Sequence, residues 1–179
     1  MSESAPSVNI VIRRAGSDDI APIIHLAQRI WRAHYPGIIS TEQIEFMLSS
    51  MYSPERIAAE LTELSVTYLL AEHERTAIGF AAAGPADEPK TAKLHKLYVL
   101  PEHQGNGVGR ALLNAALATA RAMGRDRLIL AVNKGNQKAI AAYAKWGFRQ
   151  RDAVTVDIGG GFVMDDYILE IAVPDTKEE

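Results

Sequence analysis

A glycine-rich hexapeptide is the feature of this sequence that points most directly to chemistry. It reads Gln104-Gly105-Asn106-Gly107-Val108-Gly109, after an apolar strand-like segment and before a stretch with helical periodicity. Glycines let the backbone approach a ligand closely, and a helix start offers unpaired N–H groups and the positive end of the helix dipole. The segment therefore predicts a site for an anion such as a pyrophosphate.

Other glycine-rich sites are disfavoured by the surrounding sequence, although a tight turn without a function stays open. A P-loop requires a Lys-Ser/Thr pair after its glycines, and no such pair follows here. A dinucleotide-binding unit places its glycines in an opening strand–helix unit, whereas this turn follows a predicted three-strand meander.

Two segments together resemble the GNAT superfamily of acetyltransferases. Gln104, Gly107 and Gly109 match its cofactor motif Gln/Arg-x-x-Gly-x-Gly/Ala, and residues 136–148 match its Asn-x-x-Ala-x-x-x-Tyr-x-x-x-Gly-Phe segment. The resemblance covers about residues 9–173. It implies an acetyl-CoA-dependent N-acetyltransferase, in which an amine attacks the thioester directly in a ternary complex.

The resemblance also implies how coenzyme A would lie. Backbone amides of residues 104–110 would hold the pyrophosphate, and the backbone of Leu97 and Val99 would pair with the pantetheine arm like an added strand. The predicted cofactor residues are Leu97, Tyr98, Val99, Gln104, Gly105, Asn106, Gly107, Val108, Gly109, Arg110, Asn136 and Tyr143. Residues 133–151 carry bases and no acid, and these could meet phosphate or simply be solvated.

Tyr143 is the predicted catalytic acid. When an amine attacks the thioester, the leaving thiolate needs a proton or a hydrogen-bond donor, and a phenol with an ordinary pKa of about 10 supplies one. The alternative is an aromatic side chain that only packs beside Ile140 and Gly147.

His95 is the predicted base, acting directly or through water. Many relatives carry an acid where this chain has Lys93, which argues against a direct carboxylate base. Strand alternation places His95 on one face with Lys93 and Leu97, and imidazole titrates in the required range. A packed or solvated histidine without a role is the alternative. The histidines lack metal-ligand spacing, so no metal is predicted.

The acceptor is expected to be a small polycationic amine. In this family the first helices and the terminal hairpin form the acceptor site, which implies binding by His34, Tyr35, Asp165 and Tyr167. Residues 152–176 carry acids and no bases, and carboxylates and aromatic faces attract cations. Residues 38–44 and 164–167 also resemble bacterial polyamine acetyltransferases of the PaiA type, which implies spermidine or spermine.

Two other functions stay open at this point. Acetylation of a protein N-terminus or a lysine would require an open groove for a peptide. A regulatory domain that senses acetyl-CoA without turnover would be compatible with the missing acid at Lys93, but it would not need a phenol at Tyr143.

The elements that position these residues follow from hydrophobic periodicity and from glycine and proline breaks. Strands are predicted at residues 9–15, 66–71, 77–83, 93–100, 127–132, 148–158 and 162–173, and helices at 17–34, 40–48, 53–64, 107–123 and 136–146. Helix caps are predicted at Ser17, at Ser40 in a capping box with Gln43, and at Ser53. This order predicts an α/β (α+β) fold with helices on both faces of a mixed sheet. The resemblance implies about seven mostly antiparallel strands.

Composition limits the remaining possibilities. The chain has 179 residues, 47% of them hydrophobic and 23% charged, which predicts one globular domain at residues 9–173 between a disordered tail at 1–8 and a C-terminal tail at 174–179. Without cysteine there is no disulfide, thiolate metal site or cysteine nucleophile.

The partners are expected to be small molecules. A formal net charge of -3 gives no general attraction to nucleic acid, and no apolar run is long enough to cross a membrane. The first residues do not resemble a secretory signal, so we expect a cytoplasmic protein. The apolar last strand could pair with a second subunit as a homodimer, or its edge could be covered within the chain.

Overall fold

A single sheet runs through the computed structural model, which describes residues 9–63 and 65–175. Its strands are β1 Ile10–Arg14, β2 Thr67–His73, β3 Thr76–Pro85, β4 Thr91–Val99, β5 Arg127–Asn133, β6 Arg149–Gly159 and β7 Phe162–Ala172. The α-helices are α1 Ile20–His34, α2 Thr41–Met51, α3 Pro54–Thr62, α4 Val108–Ala122 and α5 Gln137–Lys145. The predicted N-terminal tail, residues 176–179 of the C-terminal tail and Leu64, the predicted end of the third helix, lie outside the described residues.

The seven strands are ordered β1-β2-β3-β4-β5-β7-β6. All neighbouring strands are antiparallel except β4 and β5, which are parallel because α4 crosses between them. The predicted mixed, mostly antiparallel sheet is confirmed. The edges of the last strand are covered within the chain, because β7 pairs with β5 on one side and β6 on the other.

Helices cover both faces of this sheet, as predicted. On β3, Gly79 faces α4, since a Cβ at Gly79 would lie 3.4 Å from Leu112 Cδ1. The adjacent Phe80 faces the opposite side, where its ring packs against Tyr98, and the Tyr98 ring contacts Trp31 of α1. Successive strand residues point to opposite faces, so α1 and α4 sandwich the centre of the sheet.

The helices form because their apolar residues recur at intervals that place them on one face. In α1 the buried residues are Ile23, Leu26, Ala27, Ile30 and Trp31. In α4 they are Val108, Leu112, Leu113, Ala116, Leu117 and Ala120. Burial of such a stripe supplies most of the stability of a helix, and it fixes where the helix begins relative to the sheet. For α4, that beginning is the glycine-rich turn.

The three predicted helix caps have different outcomes. Ser53 is confirmed, because its Oγ accepts from Arg56 N at 3.1 Å. Ser40 also caps its helix, because its Oγ accepts from the backbone N–H of Gln43. The capping box is incomplete, since the side-chain amide of Gln43 donates to Val163 O of β7 instead of contacting Ser40. Ser17 is not a cap: residues Ser17–Asp19 form a 3-10 turn, and the Asp19 carboxylate accepts from Gly16 N.

Within residues 9–63 and 65–175, no helix combines the length and apolar character needed to cross a membrane.

Candidate active site

A gap in the sheet is the centre of the site. The parallel strands β4 and β5 pair only from Thr91 to Lys93 and from Arg127 to Ile129, and beyond these residues the register ends. The separated portions, residues 94–99 and 130–133, line a cavity of about 800 Å³. Cavities of this size are usual for small-molecule and cofactor sites.

The gap leaves the β4 backbone open to an extended ligand. Residues 97–99 still pair with β3 on their other side, so β4 is a strand with one free edge inside the molecule. A ligand with amide groups can add to such an edge through main-chain hydrogen bonds. The edge fits the predicted role of Leu97 and Val99, although the Val99 carbonyl already accepts from Gln104 Nε2 at 3.1 Å.

The glycine-rich turn carries the chain from β4 to α4 at the mouth of this gap. Gly105 and Gly107 have φ angles of 80° and 83°, a backbone conformation that a side chain would strain, and a Cβ at either position would meet no atom within 4 Å. Gly107 precedes the first residue of α4, and no side chain of the described residues caps that end. The N–H groups of the first turn are therefore available to an anion, and the predicted pyrophosphate site at this turn stays a prediction.

The two segments that carried the sequence motifs meet in space. A Cβ on Gly109 would lie 3.0 Å from the Trp146 ring, so only glycine lets the start of α4 pack this closely against the end of α5. Arg110 Nη1 donates to Trp146 O at 3.3 Å. From α5, Lys138 donates to Gln104 Oε1 of the turn. These contacts join the glycine-rich turn and α5 into one wall of the cavity.

Asn136 joins α5 to the end of α1. Its Oδ1 caps α5 by accepting from Ala139 N at 3.4 Å, and it also accepts from His34 Nε2 at 2.9 Å. The residue after His34, Tyr35, shares a hydrogen bond of 3.1 Å with the Tyr98 hydroxyl of β4. The side chains of Asn136, His34, Tyr35 and Tyr98 line the cavity, which is thereby framed by α1, β4 and α5.

Tyr143 presents a protonated phenol to the cavity. Its ring is buried edge-on against Trp146 and Phe148, at centroid distances of 5.7 and 5.3 Å. Burial raises the pKa of its hydroxyl above the ordinary value, with a smaller contribution from Tyr35. The hydroxyl makes no hydrogen bond to any residue that the structure describes. It is therefore available as a donor to a ligand, as the predicted acid requires.

His95 lies at a bulge in β4. The register with β3 passes from Ala82↔Lys96 to Ala83↔Leu94, which leaves His95 as the additional residue. The predicted shared face of Lys93, His95 and Leu97 is therefore wrong in part. Leu97 points towards Gly109 on the α4 side, whereas His95 Nε2 lies near Gly84, the partner of Lys93, on the α1 side.

The pKa of His95 is lowered to about 4, first by desolvation within the cavity walls and then by the positive charge of Lys93. Part of the residue nevertheless remains exposed to solvent. The imidazole is therefore neutral at neutral pH and can accept a proton, but it is a weaker base than an ordinary histidine.

The predicted acceptor residues divide into two pairs. His34 and Tyr35 line the cavity, whereas Asp165 and Tyr167 are not among its lining residues. Asp165 pairs with Lys134 Nζ at 2.7 Å, and the same ammonium lies 5.6 Å from the centre of the Tyr167 ring. Alternation along β7 turns these two side chains away from the cavity and turns Asp166 towards it.

The predicted cofactor residues mostly line the cavity. Those that do are Leu97, Tyr98, Val99, Gln104, Gly105, Gly107, Gly109, Arg110, Asn136 and Tyr143. Asn106 and Val108 do not, because Asn106 is exposed at the tip of the turn and the Val108 side chain is buried in the core.

The basic stretch at residues 133–151 is only partly available to phosphate. Lys138 and Lys145 line the cavity. The other three cations form ion pairs: Lys134 with Asp165, Arg149 with Glu170 and Arg151 with Glu88. These three cations therefore pair with carboxylates of the chain and are not placed to meet a phosphate in the cavity.

A buried polar cluster that contributes to the cavity wall was not predicted. Lys96 Nζ of β4 lies 3.1 Å from Glu60 Oε2 of α3, and the Tyr68 hydroxyl donates to the same carboxylate. Arg56 Nε donates to the other Glu60 oxygen at 2.9 Å. Burial acts to raise the pKa of Glu60, but Lys96, Tyr68 and Arg56 outweigh it and hold the pKa below its usual range. A lysine inside an apolar strand was the one sequence signal for this cluster.

In the ranges 9–63 and 65–175, no group of three or more His, Cys, Asp or Glu side chains is arranged to hold a metal ion.

Comparison with known proteins identifies the family. A model of the acetyltransferase (GNAT) family matches residues 25–148. The chain is 32% identical over 153 residues to an uncharacterized N-acetyltransferase of Mycobacterium bovis, covering 86% of this chain and 95% of the relative. It is 29% identical over 162 residues to the spermidine N(1)-acetyltransferase of Thermoplasma acidophilum, covering 88% of this chain and 97% of the relative.

Solved structures agree with this result. The crystal structure of the PaiA N-acetyltransferase from Thermoplasma acidophilum in complex with coenzyme A has a TM-score of 0.78 with this chain, at 28% identity, covering 92% of this chain and 99% of that one. The gap between β4 and β5 and the open glycine-rich turn are features that fit such a cofactor. The chain therefore belongs to the GNAT family, and it is an acetyl-CoA-dependent N-acetyltransferase.

Proposed function

We propose that this enzyme transfers the acetyl group of acetyl-CoA to a primary amine of a small polycation such as spermidine or spermine. The observation that carries the proposal is one continuous cavity, which reaches from the glycine-rich turn to the buried carboxylate of Asp166. Such a cavity can hold an anionic donor at one end and a cationic acceptor at the other. The similarity to a spermidine acetyltransferase supports this acceptor class.

The donor is held mainly by backbone. The backbone amides of residues 104–110 would contact the pyrophosphate, and Lys138 and Arg110, which also line the cavity, would balance its charge. The free edge of β4 at Leu97 and Val99 would pair with the pantetheine arm, and the side-chain amide of Gln104 would have to release the Val99 carbonyl for this pairing. Asn136 contributes from the start of α5. When bound, acetyl-CoA would supply an activated thioester.

His95 and Tyr143 would act on different atoms of the reaction: His95 on the acceptor nitrogen and Tyr143 on the sulfur of the thioester. The acceptor nitrogen must lose its proton before it attacks, and neutral His95 takes up that proton through water. The acetyl group passes directly from sulfur to nitrogen in the ternary complex. The Tyr143 hydroxyl would donate a hydrogen bond to the sulfur as the carbon–sulfur bond breaks, and this would stabilise the negative charge of the leaving thiolate.

The pH dependence of turnover tests the base. Because the pKa of His95 is about 4, the acid limb of kcat is expected near pH 4 rather than near the ordinary histidine value of about 6.5. Below that limb the ring is protonated and cannot accept a proton. The limb should be absent in His95→Gln, measured by steady-state kinetics with saturating acetyl-CoA. A wild-type profile that His95→Gln leaves unchanged would exclude His95.

The acceptor class is tested by thiol release from acetyl-CoA with a panel of polyamines, amino acids and peptides. We expect turnover with spermidine and spermine and little with neutral amino acids or peptides. Activity confined to peptides would replace this proposal with protein N-terminal or lysine acetylation. Silence with every acceptor, despite saturable binding of acetyl-CoA, would favour a sensor and contradict the proposal.

A further inference from the structure

We propose that Asp166 is the carboxylate that binds a second, non-reacting ammonium group of the acceptor and so selects polycations over monoamines. The inference rests on the proposed function and adds to it the residue that determines specificity. It follows from the position of Asp166, from its lack of partners, and from the charges around it.

Asp166 lies deep in the sheet and faces the cavity. On β7 it is opposite Asn133 of β5 and Val154 of β6, so neighbouring strands flank it on both sides. Its relative exposure is 4%, yet it lines the cavity. The side chain is therefore shielded from bulk solvent and open to a ligand.

Asp166 also lacks partners. It makes no hydrogen bond or ion pair with any side chain in residues 9–63 and 65–175. The other carboxylate lining the cavity, Glu60, differs sharply, because Lys96, Tyr68 and Arg56 occupy its two oxygens. A buried carboxylate without a partner is costly unless a cation or donors reach it. A ligand ammonium supplies both.

The charged groups that act on Asp166 come from β4, from β7 and from the loop that follows β5. Lys93 of β4 and Lys134, the residue after β5, act to lower its pKa, but burial and the adjacent Asp165 outweigh them and raise the pKa above its usual value. Lys134 is paired with Asp165, and Lys93 does not approach Asp166 within ion-pair distance. The charge of Asp166 also acts to raise the pKa of the Tyr35 hydroxyl, which lies just after the end of α1. No cation of the described residues therefore neutralises this carboxylate by contact.

The surroundings are suited to a flexible cationic chain. Tyr35, Trp31 and Met164 line the same cavity as Asp166. Aromatic rings and an apolar methionine side chain can pack against the methylene groups of a polyamine, and an aromatic face also attracts its ammonium groups. A monoamine could fill the reacting position, but it would leave Asp166 unpaired. The cavity thus favours an acceptor with at least two positive charges.

The test compares Asp166→Asn with Asp152→Asn, which removes the same charge from an exposed position on β6. For spermidine, kcat/KM is expected to fall at least about tenfold in Asp166→Asn, the usual loss for one hydrogen bond to a charged group. For butylamine, which has no second charge, kcat/KM should change little. Asp152→Asn should match the wild type with both amines, and acetyl-CoA affinity should be equal in all three proteins. Equal losses with the two amines, or none, would overturn the inference.

A binding measurement separates this inference from the proposed function. Calorimetric titration of spermidine into the protein saturated with coenzyme A needs no turnover. Weaker binding in Asp166→Asn than in the wild type supports the inference even if the reaction proceeds on another acceptor. Unchanged binding in Asp166→Asn overturns the inference and leaves the acetyltransferase proposal standing. An absence of spermidine binding to the wild type overturns both.

Discussion

Tyr143→Phe is expected to lower kcat about 100-fold while leaving the Kd for acetyl-CoA nearly unchanged. General acid catalysis contributes a factor of this size, and the substitution removes only the donor atom. The ring contacts with Trp146 and Phe148 that hold the residue in place remain. Steady-state kinetics and an independent acetyl-CoA titration would separate the two quantities.

A matched control is available in Tyr167, whose ring is on β7 but not among the residues lining the cavity. Tyr167→Phe removes the same atom and should retain wild-type kcat. Because the Tyr143 hydroxyl has no partner in the described part of the chain, its removal should not lower the melting temperature either. If Tyr143→Phe turns over at the wild-type rate, Tyr143 has no part in the chemistry.

Glu60→Gln is expected to destabilise the fold by about 3–5 kcal/mol, the usual cost of breaking one side of a buried ion pair. The substitution leaves Lys96, which is 4% exposed, without its counter-ion. The loss would be a large fraction of the free energy of unfolding of an ordinary domain, about 5–15 kcal/mol. Urea denaturation followed by circular dichroism measures it.

A double variant tests the reason for this loss. Glu60→Gln with Lys96→Met removes both charges, and the methionine fills the space between the rings of Tyr52 and Tyr68 that now contact the ammonium. Since the cost lies in the unpaired charge, the double variant should recover most of the stability lost by Glu60→Gln. Glu55→Gln, on the exposed first turn of α3, should have little effect in the same measurement. A Glu60→Gln protein as stable as the wild type would show that the pair is unimportant.

Local sequence patterns predicted the elements of this fold well. Apolar spacing located α1 and α4, and the glycines after Val99 located the turn that starts α4, because such signals depend on residues close in the chain. The family resemblance added the strand number and the cofactor motifs. The Ser17 cap failed because Asp19, two residues later, makes the competing contact with Gly16.

Features that depend on pairing between distant strands were not predictable in this way. The bulge at His95 exists only relative to its partner strand β3, and it changes which side chains share a face. The Glu60–Lys96 pair joins residues 36 positions apart in the chain. Among the acids of β7, only the packing of the sheet shows that Asp166, and not Asp165, faces the cavity.

We propose that acetyl-CoA lies along the free edge of β4 with its pyrophosphate on the glycine-rich turn. The most direct test is a titration of ¹⁵N-labelled protein with acetyl-CoA, followed through the backbone amide resonances. We predict saturable shifts centred on Gly105, Gly107 and Gly109 and extending to Leu97 and Val99. Saturable shifts centred on another surface, or no saturable shifts, would contradict it.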